Sequence, residues 1–430
     1  MKKFLSTLLL SSSLIGYGQV FSSGFETNYG PITNWTLYNV DGLTPATQVN
    51  FVNAAWVATA EEFGNNVAMS TSWYSPAGTS NDWMVTPSIA LPAGTNTLYW
   101  HARSYDATYK ESYRVLISTT GNAVANFTTT LLTVNNEDTA WQNKSIDLSA
   151  YAGQTIYLAF QNFSNDKFLG AIDNVYIVNG TSPQPGRLIT TSNITKTGVS
   201  LNWTAATGVT GYDYSWGSTG HVPSAMGSVS GAATNTASIG SLTENTMYEY
   251  YVRSKNGTTN GGWIGPYRFF TAQELGVGTY TYGFDNTASG FYQNDGWSGA
   301  WSTNAGAGNP QAGAQMVFSN NSNTAATNRW LFSKPFNLTT GKSYTITFYL
   351  RNFGSTTTAQ SIKLTTGNAA TAAAQTNTVW TSSTVANAAW TQYTATFTPT
   401  SDGTYFTFHH YRQLLYLWGL IHSMLMDSLG

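Results

Sequence analysis

Few side chains in this chain are suited to acid–base or nucleophilic chemistry. It has no Cys and five His, and only His101 and His221 lie outside the segment 408–430. His101 follows Trp100 in an alternating pattern, which favours a place on a strand face over the role of a catalytic base. His221 lies in a Gly- and Ser-rich loop, where we expect it to be solvated.

Sequence patterns of the common hydrolases and nucleotide-binding proteins are missing. No HExxH, GxSxG or GxxxxGK[ST] occurs in the chain. The acidic doublet Glu61–Glu62 makes a poor glycosidase pair, because neighbouring residues on a strand point to opposite faces. The sequence therefore predicts that the protein is not an enzyme.

Oxygen-bearing side chains at both ends of the first third of the chain could instead bind a metal ion. Calcium takes carboxylate, amide and carbonyl oxygens. Glu26 lies near the start of this region and Asp173 near its end, and the two ends of a sandwich can lie close together. Asp82 and Asp106 are further candidate ligands. The alternative is that these residues cap turns through their side chains.

Several aromatic residues could form a platform on which a sugar stacks. The candidates are Trp56, Trp73, Tyr74, Trp297 and Trp301. The alternative is burial, because 14% of the residues are aromatic and many rings must fill the core of such a protein.

The composition predicts which elements position these side chains. Hydrophobic residues make up 41% of the chain and charged residues only 9%, with a net charge of -2. This balance, without any basic or acidic block, argues against binding to nucleic acid or to an anionic membrane. Turn residues recur about every eight to twelve positions without a helical period, which predicts an all-β protein built from sandwiches.

The chain divides into a leader and three segments. Residues 1–18 have two Lys, an apolar stretch and then small residues, as in a secretory signal peptide. No integral membrane segment is expected after its removal. Pro- and Gly-rich linkers then separate segments 20–180, 185–272 and 277–430.

The first and third segments are divergent copies of each other, about 250 residues apart. NDWMVTPSIALPAGTNTLYWHARSYD aligns with NRWLFSKPFNLTTGKSYTITFYLRNFG. This alignment pairs Trp83 with Trp330 and Arg103 with Arg351. We therefore expect the same fold twice, interrupted by a different middle domain.

Residues 20–180 carry a specific combination of short sequences. These are GFE at Gly24–Glu26, DWMVTPSIAL at Asp82–Leu91, SYDATYKESYRVLIST at Ser104–Thr119, WQNKSIDLSAYAGQTIYLAFQN at Trp141–Asn162 and AIDNVYI at Ala171–Ile177. In this combination the segment resembles the cleaved-adhesin (gingipain adhesin, choice-of-anchor J) jelly-roll family of Bacteroidetes surface proteins. The resemblance implies a jelly-roll sandwich and structural calcium sites, for which Glu26 and Asp173 are the best-matching residues.

Residues 185–272 resemble a fibronectin type III domain. SLNWTAA supplies Trp203 on an early strand, and LTENTMYEYYVRSKN places Leu242 six residues before Tyr248, as in a tyrosine corner. We expect Trp203, Leu242 and Tyr248 to be structural residues, which fill one core together with Tyr250 and Val252.

The end of the chain, FHHYRQLLYLWGLIHSMLMDSLG, differs from everything before it. It is too short and too polar for a membrane anchor, and a native amphipathic segment conflicts with the first copy, which has a strand there. A shifted reading frame from about residue 411 is the third interpretation. In that frame the codons of Trp418–Gly419 and Met426–Asp427 each force Gly, and the text between them can resemble GAIDNVYIVNG. We then expect a truncated third sandwich that lacks its last strand.

These patterns predict a secreted, monomeric cell-surface protein that binds an extracellular protein or glycan and does not bind nucleic acid. The resemblance implies adhesion and export by type IX secretion, or a periplasmic location if a truncation removed the sorting domain. The alternative is the carbohydrate- or substrate-binding accessory region of a secreted hydrolase whose catalytic part is absent.

Overall fold

A computed structural model describes residues 18–61, 64–275, 279–285, 295–305, 310–313, 315–319, 327–353, 360–400, 405–412 and 418–428. Residues 1–17 of the predicted signal peptide lie outside this range. The described part is built from strands and short 3-10 helices, so the predicted all-β class is confirmed. None of the helices in it is long and apolar enough to span a membrane.

The first domain is a sandwich of two antiparallel sheets. Its strands are β1 (Gln19–Ser23), β2 (Thr36–Asn39), β3 (Val57–Ala60), β4 (Asn66–Ser70), β5 (Asp82–Val85), β6 (Ile89–Ala90), β7 (Asn96–Ser104), β8 (Tyr113–Ser118), β9 (Thr129–Val134), β10 (Gln142–Asp147), β11 (Thr155–Asn162) and β12 (Gly170–Asn179). One sheet has the order β10-β7-β12-β4-β3, with β1 beside β12, and the other has the order β2-β5-β11-β8-β9, with β6 beside β11. Connections between these strands include 3-10 turns at Ile32–Asn34, Thr47–Val49, Val124–Asn126 and Ser149–Tyr151.

The inner faces of both sheets form the core of this domain. Leu98 and Trp100 on β7, Phe160 on β11 and Ile172 on β12 are buried together. On β10 half-buried and exposed residues alternate, as expected for a strand with one face in water. By contrast β12 is buried along almost its whole length, because the second domain covers its outer face.

The second domain is a smaller sandwich. Its strands are β13 (Gly186–Ser192), β14 (Val199–Thr204), β15 (Gly211–Ser218), β16 (Gly227–Ser230), β17 (Thr236–Ile239), β18 (Met247–Asn256), β19 (Thr259–Asn260) and β20 (Ile264–Phe270). They form the sheets β13-β14-β17 and β16-β15-β18-β19, with β20 beside β18. Trp203 and Leu242 are buried and Tyr248 packs half-buried against them. The Tyr248 hydroxyl accepts a hydrogen bond from Thr243 N at 2.9 Å, so the predicted tyrosine corner is present.

The third domain repeats the topology of the first. After a short strand β21 (Gln273–Glu274) come β22 (Thr279–Tyr282), β23 (Ser298–Gly299), β24 (Ser302–Ala305), β25 (Gln315–Ser319), β26 (Thr327–Phe332), β27 (Phe336–Asn337), β28 (Tyr344–Phe353), β29 (Gln360–Gly367), β30 (Asn377–Val385), β31 (Thr391–Phe397), β32 (Tyr405–Arg412) and β33 (Trp418–Ser428), with a 3-10 turn at Ala372–Ala374. Read from its other edge, the sheet β24-β25-β33-β28-β31 corresponds strand for strand to β10-β7-β12-β4-β3 of the first domain. The sheet β23-β26-β32-β29-β30 corresponds strand for strand, in the order given, to β2-β5-β11-β8-β9. The duplication inferred from the alignment therefore extends to strand order.

The unusual end of the chain completes this sandwich, which corrects the expectation of a missing last strand. The backbone of β33 pairs with β28, β25 and β22, as β12 pairs with β7, β4 and β1. The register shifts by a β-bulge in the pair β12–β7, between Asp173 and Tyr176. It also shifts in the pair β33–β28, between Phe348 and Leu350 of β28. An apolar run of this length suits a central strand. The reading-frame hypothesis concerns the gene and stays a prediction.

The first and second domains share a packed junction. Tyr99 and Tyr176, on the outer face of the first domain, stack with ring centroids 5.1 Å apart and join the core of the second domain. The Tyr29 hydroxyl accepts a hydrogen bond from Trp263 N at 3.0 Å across the same boundary. The two domains are therefore held together by apolar packing as well as by polar contacts.

Candidate functional site

Three loops at one end of the first domain enclose a cleft. They connect β4 to β5, β7 to β8 and β11 to β12, and they meet because these strands end at the same edge of the sandwich. The cavity between them measures about 510 Å³. We call it the loop-end cleft, and its lining residues are Trp73, Asp106, Tyr109, Asp166, Lys167 and Phe168.

Aromatic rings form one part of this cleft. Tyr109 is 50% exposed, which is unusual for a ring of its size. Trp73 and Phe168 are partly buried, with centroids 6.0 Å apart, and they pack on a small apolar cluster below. Lys167 Nζ lies 6.0 Å from the centre of the Tyr109 ring. The cleft thus offers ring surface beside charged groups.

The carboxylates of the cleft come from the loops themselves. Asp106 Oδ1 accepts hydrogen bonds from Thr108 N at 2.7 Å and from Tyr109 N at 2.8 Å. Asp106 therefore caps a turn, the alternative that its sequence allowed, and this turn presents Tyr109. Asp166 has φ +53°, a left-handed conformation that Asp tolerates better than most residues.

A buried glutamate ties the loops together. Glu111 Oε1 accepts hydrogen bonds from Ser72 N at 2.8 Å and Ser72 Oγ at 3.0 Å, beside Trp73. Ser72 Oγ in turn accepts one from Lys167 N at 3.0 Å. Burial raises the pKa of Glu111 to about 7. The cleft is therefore held by contacts between loops that are far apart in sequence.

Of the predicted aromatic platform, the structure places only Trp73 in the cleft. Trp56, Tyr74, Trp297 and Trp301 are each at most 4% exposed and belong to packed interiors. A glycan cannot reach these four rings, so their assignment to ligand binding is corrected. Tyr109, Phe168, Asp166 and Lys167 were missed, although the polar, aromatic loop DATYK was a visible signal.

A second polar cluster lies where the end of β1 meets the start of β12. Glu26 accepts hydrogen bonds from the backbone N of Asn66 and, at 3.1 Å, from Asn66 Nδ2. Asp173 Oδ2 accepts hydrogen bonds from Asn65 Nδ2 and Asn174 Nδ2, both at 2.9 Å. The structure thus brings together Glu26 and Asp173, as expected from their places at the two ends of the fold.

The two carboxyl groups of this cluster ionise less readily than free ones. Burial raises the pKa of Glu26 to about 8 and that of Asp173 to about 6. Asn65 Oδ1 and Asn174 Oδ1 are buried oxygens that have no hydrogen-bond partner in the described part of the chain. Two carboxylates and two free amide oxygens are hard donors of the kind that calcium takes, so these residues fit the ion. Among the described residues, no three His, Asp or Glu side chains are grouped around one metal position.

Asp82 and Asp106 do not join this cluster. Asp82 Oδ2 accepts hydrogen bonds from the Tyr74 hydroxyl at 2.8 Å and from Ser80 Oγ at 3.4 Å. Burial raises the pKa of Asp82 to about 7. The four predicted calcium ligands thus belong to three separate places in the first domain.

The two His residues outside the chain end have structural surroundings. His101 is fully buried, with Nε2 3.2 Å from the Pro185 carbonyl, and burial lowers its pKa to about 3. His221 is half-buried and its Nε2 lies 2.6 Å from Ser215 Oγ, so it is less solvated than the sequence predicted. Ser215 is fully buried, which keeps a substrate from this Ser–His pair.

Comparison with known families agrees with this architecture. Residues 20–177 match the family model described as Cleaved Adhesin Domain, and residues 183–269 match Fibronectin type III domain. The first two domains are a cleaved adhesin domain and a fibronectin type III domain. Both resemblances expected from the sequence are confirmed.

The relatives of the adhesin domain include much longer proteins. Hemagglutinin A of Porphyromonas gingivalis is 33% identical over 170 residues, which cover 34% of this chain and 6% of that protein. Lys-gingipain of the same species is 34% identical over 115 residues, covering 23% of this chain and 6% of that protein. The chain thus matches only a small part of these relatives.

Among solved structures, the K3 cleaved adhesin domain of Lys-gingipain from Porphyromonas gingivalis is 27% identical in sequence. The comparison covers 38% of this chain and 98% of that domain, with a TM-score of 0.30.

Proposed function

We propose that this protein is a secreted, non-catalytic cell-surface adhesin that binds glycans through the loop-end cleft of its adhesin domain. The observation that carries the proposal is the exposed Tyr109 ring between Asp106, Asp166 and Lys167 in a cleft built on cross-linked loops. A sugar presents an apolar C–H face that can stack on such a ring, and hydroxyl groups that bond to carboxylates and ammonium groups.

The fixed arrangement of the loops around the cleft supports this assignment. A binding site whose loops are already fixed loses little conformational entropy when the ligand arrives. Here Glu111 and Ser72 link the loop of Trp73 to the loop of Tyr109, and Phe168 N donates a hydrogen bond to the Tyr109 carbonyl at 3.1 Å. The protein therefore presents its ring and charges in one arrangement.

The leader and the family support a location outside the cytoplasm. The predicted signal peptide, residues 1–18, would direct the chain out of the cytoplasm. Its adhesin domain is similar to part of a hemagglutinin. The fibronectin type III domain and the third sandwich would then hold the adhesin domain away from the cell surface as a packed stalk.

A glycan screen with the protein from residue 19 onward tests the proposal. We expect the wild type and Phe51→Ala, which removes an aromatic ring that is 46% exposed outside the cleft, to bind the same glycans. Tyr109→Ala should bind them about tenfold more weakly. Binding only to extracellular proteins, or glycan binding that survives Tyr109→Ala unchanged, would refute a glycan site in this cleft.

A further inference from the structure

One arginine of the fibronectin type III domain enters the carboxylate cluster of the adhesin domain. Arg187 lies on β13, the first strand of its domain. Its Nε donates to Asp173 Oδ2 at 2.6 Å and its Nη2 donates to Glu61 Oε2 at 2.9 Å. The guanidinium carbon lies 4.4 Å from the centre of the Trp141 ring. Arg187 therefore bridges the two domains through the carboxylate that a calcium ion would share.

The charges around Arg187 leave one carboxylate in excess. Glu61 is bridged by Arg187 and by Arg103, whose Nη1 lies 3.2 Å from Glu61 Oε1. Glu26, Asp173 and Glu61 carry three negative charges when ionised, and the two arginines carry two positive charges, so the sum is -1. Glu26 takes part in none of the ion pairs that the structure describes. A divalent cation beside Glu26 and Asp173 would reverse the sign of the cluster.

The hydrogen bonds on Asp173 Oδ2 show which neighbours can stay when a cation binds. Asn65 and Asn174 donate to this oxygen, while their own Oδ1 atoms are buried and have no hydrogen-bond partner among the described residues. Rotation of either amide replaces its donor by an oxygen ligand. Arg187 has only donors and carries a positive charge, so it cannot become a ligand.

We propose that a divalent cation and Arg187 compete for Asp173, so that cation binding in the adhesin domain releases the arginine of the neighbouring domain. A cation and the Arg187 guanidinium repel each other when both lie beside Asp173. Cation binding and pairing of Arg187 with Asp173 therefore weaken each other to the same extent. A bound cation loosens the contact between the two domains at β13. Conversely, Arg187 paired with Asp173 lowers the affinity of the site for the cation. The proposal does not depend on what the loop-end cleft binds.

Other contacts limit how far the junction opens. Gln184 Nε2 donates to the Trp100 carbonyl at 2.6 Å, and the Tyr176 hydroxyl donates to the Ser182 carbonyl at 2.9 Å. Both tie the linker before β13 to the adhesin domain without using Asp173, and the hydrogen bond from Trp263 N to the Tyr29 hydroxyl joins the two domains themselves. The change therefore affects the start of β13 and leaves the two domains attached.

Calorimetric titration of the protein from residue 19 onward with Ca²⁺ tests this competition. We expect Arg187→Gln to bind Ca²⁺ about tenfold or more tightly than the wild type. Arg103→Gln removes the same charge from the same cluster without touching Asp173, and we expect less than a threefold change. Equal Ca²⁺ affinity of Arg187→Gln and the wild type would overturn the proposal. An equal increase in Ca²⁺ affinity in Arg187→Gln and Arg103→Gln would also overturn it.

Hydrogen exchange in the wild type gives a second test, which does not require Arg187→Gln to fold. In the wild type, we expect Ca²⁺ to slow amide exchange at residues 64–66 and to accelerate it at residues 186–189. Slower exchange in both segments would contradict release of Arg187, and so would a wild type that shows no effect of Ca²⁺ in either. Arg187→Lys, which keeps the charge but not the planar fork, should give an intermediate Ca²⁺ affinity.

Discussion

Ser72 is hydrogen-bonded to the Glu111 carboxyl group through its backbone N, which donates to Oε1, and through its hydroxyl, which is shared between Oε1 and Oε2. Ser72 adjoins Trp73, and Glu111 follows Tyr109 by two positions. This buried pair therefore fixes the distance between the two loops that carry the aromatic part of the cleft. Its contribution to stability depends on the protonation of Glu111.

We expect the adhesin domain to lose stability with rising pH because of Glu111. Its pKa is about 7 in the folded protein against 4.5 for the free side chain. The folded state thus keeps a proton that the unfolded chain releases, so this stabilisation is complete below pH 4.5 and is lost as the pH rises through 7. The shift corresponds to about 3 kcal/mol.

Chemical unfolding of Glu111→Gln between pH 4.5 and 8 measures this loss. The difference in free energy of unfolding between the wild type and this variant should change by about 3 kcal/mol over that range. Asp147→Asn, at an exposed turn, is the control and should leave the slope unchanged. A difference that stays constant with pH would contradict the assigned burial.

Calcium should stabilise the adhesin domain through Glu26 and Asp173. A ligand at about one hundred times its dissociation constant adds about 2.7 kcal/mol, which for a domain of this size raises the melting temperature by roughly 5 °C or more. Scanning calorimetry with Ca²⁺ and with EDTA measures the rise. Glu26→Gln and Asp173→Asn should abolish it, whereas Asp106→Asn should keep it. A rise that persists in both cluster variants would place the ion elsewhere.

The tyrosine corner should stabilise the fibronectin type III domain by a measurable amount. Tyr248→Phe removes the acceptor of Thr243 N, and we expect the domain to lose about 1 kcal/mol. Tyr214→Phe, on the neighbouring strand β15, is the matched control, because the described structure shows no hydrogen bond from its hydroxyl. Equal unfolding midpoints for the two variants would argue against the corner.

The strand β33 should be essential for the third domain alone. It is central in its sheet and pairs with β22, β25 and β28. A chain that ends at residue 412 therefore removes the partner of β22 and leaves an open edge on both β25 and β28. Limited proteolysis should then degrade residues 279–412 and spare residues 19–275. Equal resistance of the third domain with and without β33 would show that the chain end does not complete the sandwich.

Local spacing explains what the sequence could predict. Trp203, Leu242 and Tyr248 were assigned to the core because a tyrosine corner and an alternating strand are short patterns, and all three pack there. Glu26 and Asp173 were paired because the ends of the fold meet. The duplicated sandwich was predictable because the aligned sequences of the first and third segments follow one another in the same order.

The cleft could not be predicted in this way, because its residues come from three loops up to about a hundred positions apart. Composition cannot tell an exposed ring from a buried one, so Trp297 and Trp301 were assigned to a platform although they fill the third core. Arg187 was also missed, because its partners belong to another domain. Contacts of this kind depend on how the sandwiches pack together.

The affinity of one glycan for wild-type protein, Tyr109→Ala and Phe51→Ala tests the central claim most directly. The glycan is the strongest binder from the screen, and affinity is measured by isothermal titration calorimetry. Loss of ring stacking should cost about 1.4 kcal/mol, so Tyr109→Ala should bind about tenfold more weakly while Phe51→Ala binds like the wild type. A dissociation constant that is the same for all three proteins would contradict glycan binding in the loop-end cleft.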